Sequence, residues 1–291
     1  MPSRARSLCA GILAAMFAGG CSTSRMAVDV MTPILENTTD VALRSSDPQL
    51  VGDALPTSLL LLEGMLETHP KQRDVASLLS MLYFAYGFAF VEPSDPVRAS
   101  GLYARGAEVG WIGWGRREGA AAIRSGTFAE LGVALEKVSR DDAAALLWVA
   151  ANWGMWIQQN LHDPKAAADF ARLVPLADKI AGLDEGLFWG MPRVLLGAMH
   201  ASRPVLLGGN PERSADEFAR AEEISEGNLL LAKVFFAKTY CVQAFDREAF
   251  EASLHAVLDA PTGMLPDAEL LNQIARIQAK DLLARADDIF E

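Results

Sequence analysis

The chain has 291 residues, of which 51% are hydrophobic, and a formal net charge of −11 at pH 7. An apolar fraction of this size can supply a large buried core, which excludes an intrinsically disordered protein. Three cysteines are too few for a disulfide-stapled scaffold, and the acidic balance argues against a nucleic-acid-binding protein, which normally presents a basic face.

The first twenty residues have the pattern of an export signal. Arg4 and Arg6 give a positive start, and a ten-residue apolar stretch, LCAGILAAMF, follows them. Such a stretch is too short to cross a bilayer as a helix and is typical of a secretory signal. We therefore predict a signal peptide at residues 1–20.

A cysteine directly after this segment suggests a lipid anchor. Ala18, Gly19 and Gly20 lead to Cys21, an ending that resembles a bacterial lipobox, although Ala18 stands where leucine is usual. In a lipobox the cysteine is acylated and becomes the mature N-terminus. The alternative is an ordinary cleaved signal with an incidental cysteine. Because Ser22 follows the cysteine, we predict a lipid-anchored periplasmic protein at the outer membrane more than at the inner membrane.

The mature chain is helical in character. Residues 21–46 predict a tether with one weak helix, and residues 47–291 predict a single α-helical domain rich in good helix formers. No alternating strand-like run is bounded by hairpin signals. Asp95-Pro96 and Asp163-Pro164 each place a capping carboxylate before a proline at the first helical position. We predict an all-α protein of about ten to twelve helices.

Small and aromatic residues recur at the spacing of tetratricopeptide helix pairs. That pattern needs a small residue on the first helix and, twelve residues later, a small residue followed four positions on by an aromatic residue. It occurs in full at Gly87, Ala99 and Tyr103, and at Gly154, Ala166 and Phe170. Two further pairs, around Gly197 and Ala237, are degenerate. We predict an irregular tetratricopeptide-like stack of antiparallel helix hairpins, with a generic helical bundle as the alternative.

The sequence contains no recognisable catalytic pattern. The four histidines are scattered singly, and the nucleophile-elbow, phosphate-loop and dinucleotide patterns are absent. The glycine-rich stretch at residues 110–115 is interpreted as a helix-ending turn over two tryptophans rather than as a phosphate site. Cys241 lies among apolar neighbours and is interpreted as a core residue. We predict that the protein is not an enzyme and uses no cofactor or metal.

Aromatic residues are the candidates for ligand or partner binding. Tyr83, Tyr86 and Phe90 share a helix face by their three- and four-residue spacing. Core packing is one interpretation, and an apolar pocket or groove is the other. Arg203 is a candidate polar anchor, against the alternative of a guanidinium in a surface loop or bonded to helix-end carbonyls. The candidate binding residues are Tyr83, Tyr86, Phe90, Tyr103, Trp148, Trp153, Trp189, Arg203 and Asn210.

The order of several short motifs resembles a known family. The motifs include Asp47-Pro48-Gln49-Leu50, Leu62-Glu63-Gly64-Met65-Leu66, Tyr86-Gly87-Phe88-Ala89-Phe90, Leu147-Trp148-Val149-Ala150-Ala151-Asn152-Trp153-Gly154 and Gly208-Gly209-Asn210-Pro211-Glu212. Together they are similar to the T component (TatT family) of tripartite ATP-independent periplasmic (TRAP) transporter systems. The resemblance covers nearly the whole mature chain, from about Asp47 to Glu291.

This resemblance implies a periplasmic lipoprotein that forms a homotrimer. It also implies a solute-binding P component as partner and a small hydrophobic ligand that is bound or channelled to the transporter. The function expected from it is a non-catalytic accessory component of a TRAP system. The alternative is a general tetratricopeptide-like envelope scaffold for protein assembly, without a ligand path.

We expect gentle extraction followed by native mass spectrometry to show acyl-chain mass on Cys21, a trimer and a bound solute-binding protein. Cys21→Ser should lose the acyl mass and leave the membrane fraction, because it removes the acylated thiol. A wild-type mass without acyl chains would contradict the anchor. A trimer that never carries the solute-binding protein would count against the partner.

Overall fold

Helices account for the architecture throughout residues 30–115 and 117–291, which the computed structural model describes. The helices are α1 (residues 30–43), α2 (Pro48–Thr68), α3 (Arg73–Tyr86), α4 (Pro96–Trp114), α5 (Ala120–Ser125), α6 (Phe128–Glu136), α7 (Arg140–Gln159), α8 (Pro164–Leu183), α9 (Met191–Ala201), α10 (Pro211–Ile224), α11 (Leu230–Phe235), α12 (Val242–Ala244), α13 (Arg247–Asp259), α14 (Glu269–Ala284) and α15 (Ala286–Phe290). The predicted signal peptide, residues 1–20, and Cys21 lie outside the described residues.

Several connections keep a helical twist. Two π-helical turns, Gly87–Val91 and Phe236–Cys241, continue α3 and α11, and three 3₁₀ turns cover Leu187–Gly190, Val205–Leu207 and Pro266–Ala268. The described residues contain no strand, so the all-α prediction is confirmed. Fourteen helices from Pro48 to Phe290 slightly exceed the predicted ten to twelve, because very short helices such as α12 and α15 leave no periodic pattern in the sequence.

Helices α4 and α8 begin at the predicted aspartate caps, each of which is followed by a proline at the first helical position. The side chain of Asp95 accepts a hydrogen bond from the Arg98 N–H at 3.0 Å, and that of Asp163 accepts one from the Lys165 N–H at 2.8 Å. Asp47 caps α2 in the same way. Each cap satisfies an N–H group that the first helical turn leaves without a partner.

Helix pairs pack closely at the predicted small residues. Helix α3 packs on α4, α7 on α8 and α9 on α10. A Cβ added to Gly87 would lie 2.8 Å from the Tyr103 ring, and one added to Gly197 would lie 2.8 Å from the Phe218 ring. In the α3–α4 and α9–α10 pairs the small residue therefore makes room for an aromatic ring of the partner helix. In the α7–α8 pair an added Cβ at Gly154 would instead meet Leu173, at 3.3 Å.

A buried polar junction fixes α3, α4 and α7 relative to one another. Asn152 Nδ2 donates hydrogen bonds to the carbonyl oxygens of Ser80, at 2.8 Å, and Trp148, at 2.9 Å. Ser80 Oγ donates in turn to the Gly106 carbonyl oxygen at 2.8 Å. Ser80 and Asn152 are both completely buried. A buried donor without a partner costs about 1–3 kcal/mol, so this junction tolerates one register of the three helices.

One described segment, Arg73–Val91, is apolar and long enough to cross a membrane by length and composition alone. In this fold 56% of its most apolar 18-residue stretch is buried inside the protein. The segment comprises α3 and its π turn, and α3 packs against α2, α4 and α7. It is therefore a central helix of the core.

We expect Gly106→Ala to lower the free energy of unfolding by about 1–3 kcal/mol, because the new Cβ would overpack the junction. That atom would lie 2.4 Å from Asn152 Oδ1. Gly101→Ala on the same helix is the matched control, since nothing lies within 4 Å of its new Cβ. The control should gain about 0.5–1 kcal/mol from the better helix propensity. Urea unfolding measures both, and equal effects would show that the junction does not constrain packing.

Candidate ligand cavity

An apolar cavity of about 90 Å³ lies between α1, α2, the α3 region and α14. Thr39 of α1 supplies the one polar side chain in its described walls. An ordered water needs two to four polar partners, so a cavity with one hydroxyl group in its walls favours an apolar ligand. Its principal wall residues are Leu43, Val51, Leu55, Leu82, Phe84, Phe88, Phe90, Trp148, Phe188, Trp189, Met191, Leu231, Leu270 and Ile274.

Strained backbone positions two of the aromatic walls. Phe188 and Trp189 are consecutive residues of the Leu187–Gly190 turn with φ angles of 45° and 57°. The left-handed region is unfavourable for bulky side chains and persists only where surrounding packing enforces it. Here the Phe188 ring meets the Trp148 ring edge to face, with 4.7 Å between the ring centroids. The turn is therefore held in a strained form that directs both rings to the cavity.

Two further cavities continue the apolar one. A cavity of about 50 Å³ among α7, α8 and α9 shares Phe84, Trp148 and Met191 with it as a common wall. On the other side a wider cavity of about 630 Å³, here called the mouth, shares Phe88, Ala89, Phe90 and Ile274 with it. The mouth reaches the surface at the exposed Ile277. Shared side chains thus separate three consecutive spaces that could become one path.

Three of the nine predicted binding residues, Phe90, Trp148 and Trp189, line the apolar cavity. The two buried tyrosines, Tyr83 and Tyr103, instead donate hydrogen bonds to glutamate carboxylates within the protein. Tyr83 donates a hydrogen bond to Glu63 Oε1 at 2.7 Å, and Tyr103 donates one to Glu92 Oε2 at 2.5 Å. Burial, together with the Glu63 carboxylate, raises the pKa of Tyr83 to about 12. Both hydroxyl groups are therefore committed to partners within the protein.

Glu63 also ties α2 to α4. Arg105 donates to it through Nε at 2.8 Å and Nη2 at 2.6 Å, a bidentate arrangement. The hydrogen bond from Arg105 holds the pKa of Glu63 below its ordinary value, against the opposing effect of burial. Through Glu63, the side chains of Tyr83 and Arg105 therefore hold α2, α3 and α4 together.

The remaining predicted residues lie apart from the cavity. Trp153 donates its indole N–H to Asp169 at 3.0 Å, and the Tyr86 ring lies under the Arg98 guanidinium at 5.7 Å. Asn210 caps α10 by accepting a hydrogen bond from the Arg213 N–H.

Arg203 lies half-buried in the connection between α9 and α10. Its Cζ lies 3.8 Å from the centroid of the Phe170 ring, a cation–π contact, and burial lowers its pKa. A ligand role for each of the nine predicted residues remains a prediction.

Sequence reasoning missed much of the cavity wall. Phe84 and Phe88 stack with 5.7 Å between their ring centroids, and their four-residue spacing on one helix was a signal that could have found them. Phe188 and Ile274 carry no comparable signal, because they reach the cavity from distant parts of the chain.

No cluster of three or more histidine, cysteine, aspartate or glutamate residues at metal-binding geometry occurs in residues 30–115 and 117–291. Cys241 is buried, as the sequence indicated, and burial raises the pKa of its thiol to about 12. A thiol in that state is a poor nucleophile at neutral pH.

One family of known proteins matches most of the chain. The family model of the TRAP transporter T-component covers residues 44–290. The match begins at the end of α1 and includes every other helix of the cavity wall. It confirms the family resemblance of the sequence motifs. No curated protein matches the chain.

A buried histidine on α9 lies near the Arg203 loop. His200 is 5% exposed, and neither ring nitrogen has a hydrogen-bond partner among the described residues. Burial lowers its pKa, and the charge of Arg213 acts in the same direction. Asp178 and Glu217 oppose this shift. The folded protein therefore favours the neutral imidazole.

We expect the free energy of unfolding to fall as the pH drops below the ordinary histidine pKa of about 6.5. Below that pH the unfolded chain takes up a proton that folded His200 resists, at a slope of at most about 1.4 kcal/mol per pH unit. His200→Leu should remove this part of the slope, whereas the exposed His255→Leu is the control for losing one histidine. Urea unfolding at several pH values measures the difference, and identical slopes in His200→Leu and wild type would contradict it.

Proposed function

Because the chain belongs to the TRAP transporter T-component family, we propose that it binds a small apolar ligand and passes it to a periplasmic solute-binding protein. Family membership establishes the accessory role in a TRAP transporter. In the proposal the protein is a non-catalytic homotrimer in the periplasm, anchored through Cys21 to the outer membrane.

The observation that carries the proposal is the series of three cavities with common walls. Hydrophobic burial is worth about 25 cal/mol per Å², so a ligand that buries roughly 200 Å² gains about 5 kcal/mol before the costs of association. This corresponds to weak binding, which suits a protein that must release its ligand to a partner. A scaffold without a ligand path would have no use for such spaces.

The wall between the two inner cavities is built from side chains that can move. Trp148 and Met191 face both cavities, and methionine is the most adaptable apolar side chain. In the proposal, rotation of these two side chains joins the cavities. The ligand then moves from the mouth, past Phe90, towards the α7–α9 cavity.

An exposed apolar tip beside the far end of this path supports docking of a partner there. Ser202 lines the α7–α9 cavity, and the turn that follows carries Val205, 68% exposed, and Leu206, 97% exposed. Leu161, which lines the same cavity as Ser202, is also exposed. Apolar side chains of this kind are favoured in the centre of a protein interface. A solute-binding protein docked on this tip would face the end of the path.

We expect wild-type protein to bind octan-1-ol and Ala89→Leu to bind it at least about tenfold more weakly, because the larger side chain narrows the boundary that Ala89 shares between cavity and mouth. Ala219→Leu, at an exposed position on α10, is the matched control and should bind like wild type. Isothermal titration calorimetry measures the affinities, and thermal unfolding checks that both variants fold. Absence of binding to wild type, or equal affinity of Ala89→Leu, would refute the ligand path.

A further inference from the structure

A single ammonium group lies at the boundary between the apolar cavity and the mouth. Lys238 belongs to the π-helical turn Phe236–Cys241, and only 17% of its side chain is exposed. Its Nζ lies 4.6 Å from the centroid of the Phe88 ring and 4.9 Å from that of Phe235. These two rings stack on each other with 5.0 Å between centroids. The charge therefore lies against aromatic faces beside the apolar cavity.

The ammonium is incompletely paired. Its one ionic partner in the described part of the chain is Glu92, whose Oε1 is 3.5 Å away, longer than a good charge-assisted hydrogen bond. The other oxygen of Glu92 accepts hydrogen bonds from Tyr103 at 2.5 Å and from Gln159 at 3.4 Å. An ammonium has three N–H donors, so Lys238 retains donor capacity. Because Lys238 lines the mouth, a ligand there could reach those donors.

Other charges in the mouth contribute less to recognition. Asp281 and Arg285 form an ion pair at 3.4 Å on the rim, and more than half of each side chain is exposed. Solvent screens such a pair, which leaves little net field. Burial lowers the pKa of Lys238, whereas the charge of Glu92 favours the ammonium form. The Lys238–Glu92 pair is thus the less exposed of the two ion pairs that line the mouth.

We propose that Lys238 is the head-group site of the path and that the ligand is an amphipathic anion, with one anionic end and an apolar tail. This inference rests on the proposed function and names its ligand class. In the mouth, the oxygens of the anionic group accept hydrogen bonds from the remaining N–H groups of Lys238. The tail continues past Phe88 and Phe90 into the apolar cavity, where the Thr39 hydroxyl already donates to the Leu35 carbonyl oxygen.

Glu92 has a defined part in this recognition. In the empty site it supplies the negative charge without which a buried ammonium would be costly. When an anion arrives, the same carboxylate opposes it, which keeps the affinity moderate and allows release. The anchoring of Glu92 by Tyr103 prevents it from leaving the site. Neutralising Glu92 should therefore strengthen anion binding.

The test compares octanoate with octan-1-ol, which carries the same tail without the charge. Isothermal titration calorimetry of the full-length protein at constant ionic strength measures both ligands with wild type, Lys238→Met and Glu92→Gln. Methionine preserves most of the length of the lysine side chain and its contacts with the two phenylalanine rings. Thermal unfolding confirms that the variants are folded.

We expect wild type to prefer octanoate and Lys238→Met to bind it about tenfold to a hundredfold more weakly, as loss of a charge-assisted hydrogen bond predicts. Affinity for octan-1-ol should stay within about twofold of wild type, because that ligand makes no ionic contact. Glu92→Gln should bind octanoate more tightly and octan-1-ol unchanged. If Lys238→Met does not fold, the octanoate affinity of Glu92→Gln tests the head-group site by itself.

Three results with the variants would overturn the proposed head-group site. They are equal losses of both ligands in Lys238→Met, no loss of octanoate in that variant, and no gain of octanoate in Glu92→Gln. Binding of octan-1-ol but not octanoate to wild type would also overturn it while leaving the proposed function intact. Failure of wild type to bind either compound would refute the proposed function itself.

Discussion

The buried junction of Ser80, Gly106 and Asn152 is the constraint on which the rest of the structure depends. It joins α3, α4 and α7 through hydrogen bonds that have no solvent to replace them. Trp148 accepts one of these bonds through its carbonyl oxygen, and Phe84 lies one helical turn beyond Ser80. The register that forms these hydrogen bonds is therefore also the register that brings Phe84 and Trp148 together, with ring centroids 5.7 Å apart.

Beyond this junction, two π-helical turns, Gly87–Val91 and Phe236–Cys241, shape the region around the apolar cavity and the mouth. The π turns that continue α3 and α11 close with hydrogen bonds between residues five apart, from the Glu92 N–H to the Gly87 carbonyl and from the Val242 N–H to the Ala237 carbonyl. A π turn widens the helix and changes the direction of the side chains that follow, and such turns are frequent at functional sites. Here they meet at the stacked rings of Phe88 and Phe235. The same meeting point holds the apolar cavity, the mouth and Lys238.

The distribution of polarity fits an accessory role in transport. Tyr83 and Glu63 are hydrogen-bonded to one another and do not line the cavity, whose walls are almost entirely apolar. An apolar, adaptable path binds by burial of surface rather than by specific bonds, and weak binding permits transfer. In the proposed path, the charge of Lys238 at the entrance adds selectivity without making binding irreversible.

The sequence by itself determined the helical class, the capped starts at Asp95 and Asp163, the close packing at Gly87 and the family. These features depend on neighbours within about twenty residues or on the linear order of motifs, which a sequence displays directly. Tertiary structure alone decided which aromatic rings line a common cavity, because its walls come from helices as distant as α1 and α14. It also decided the left-handed backbone at Phe188 and the burial of Lys238, since both are unfavourable locally and persist only through packing against remote residues.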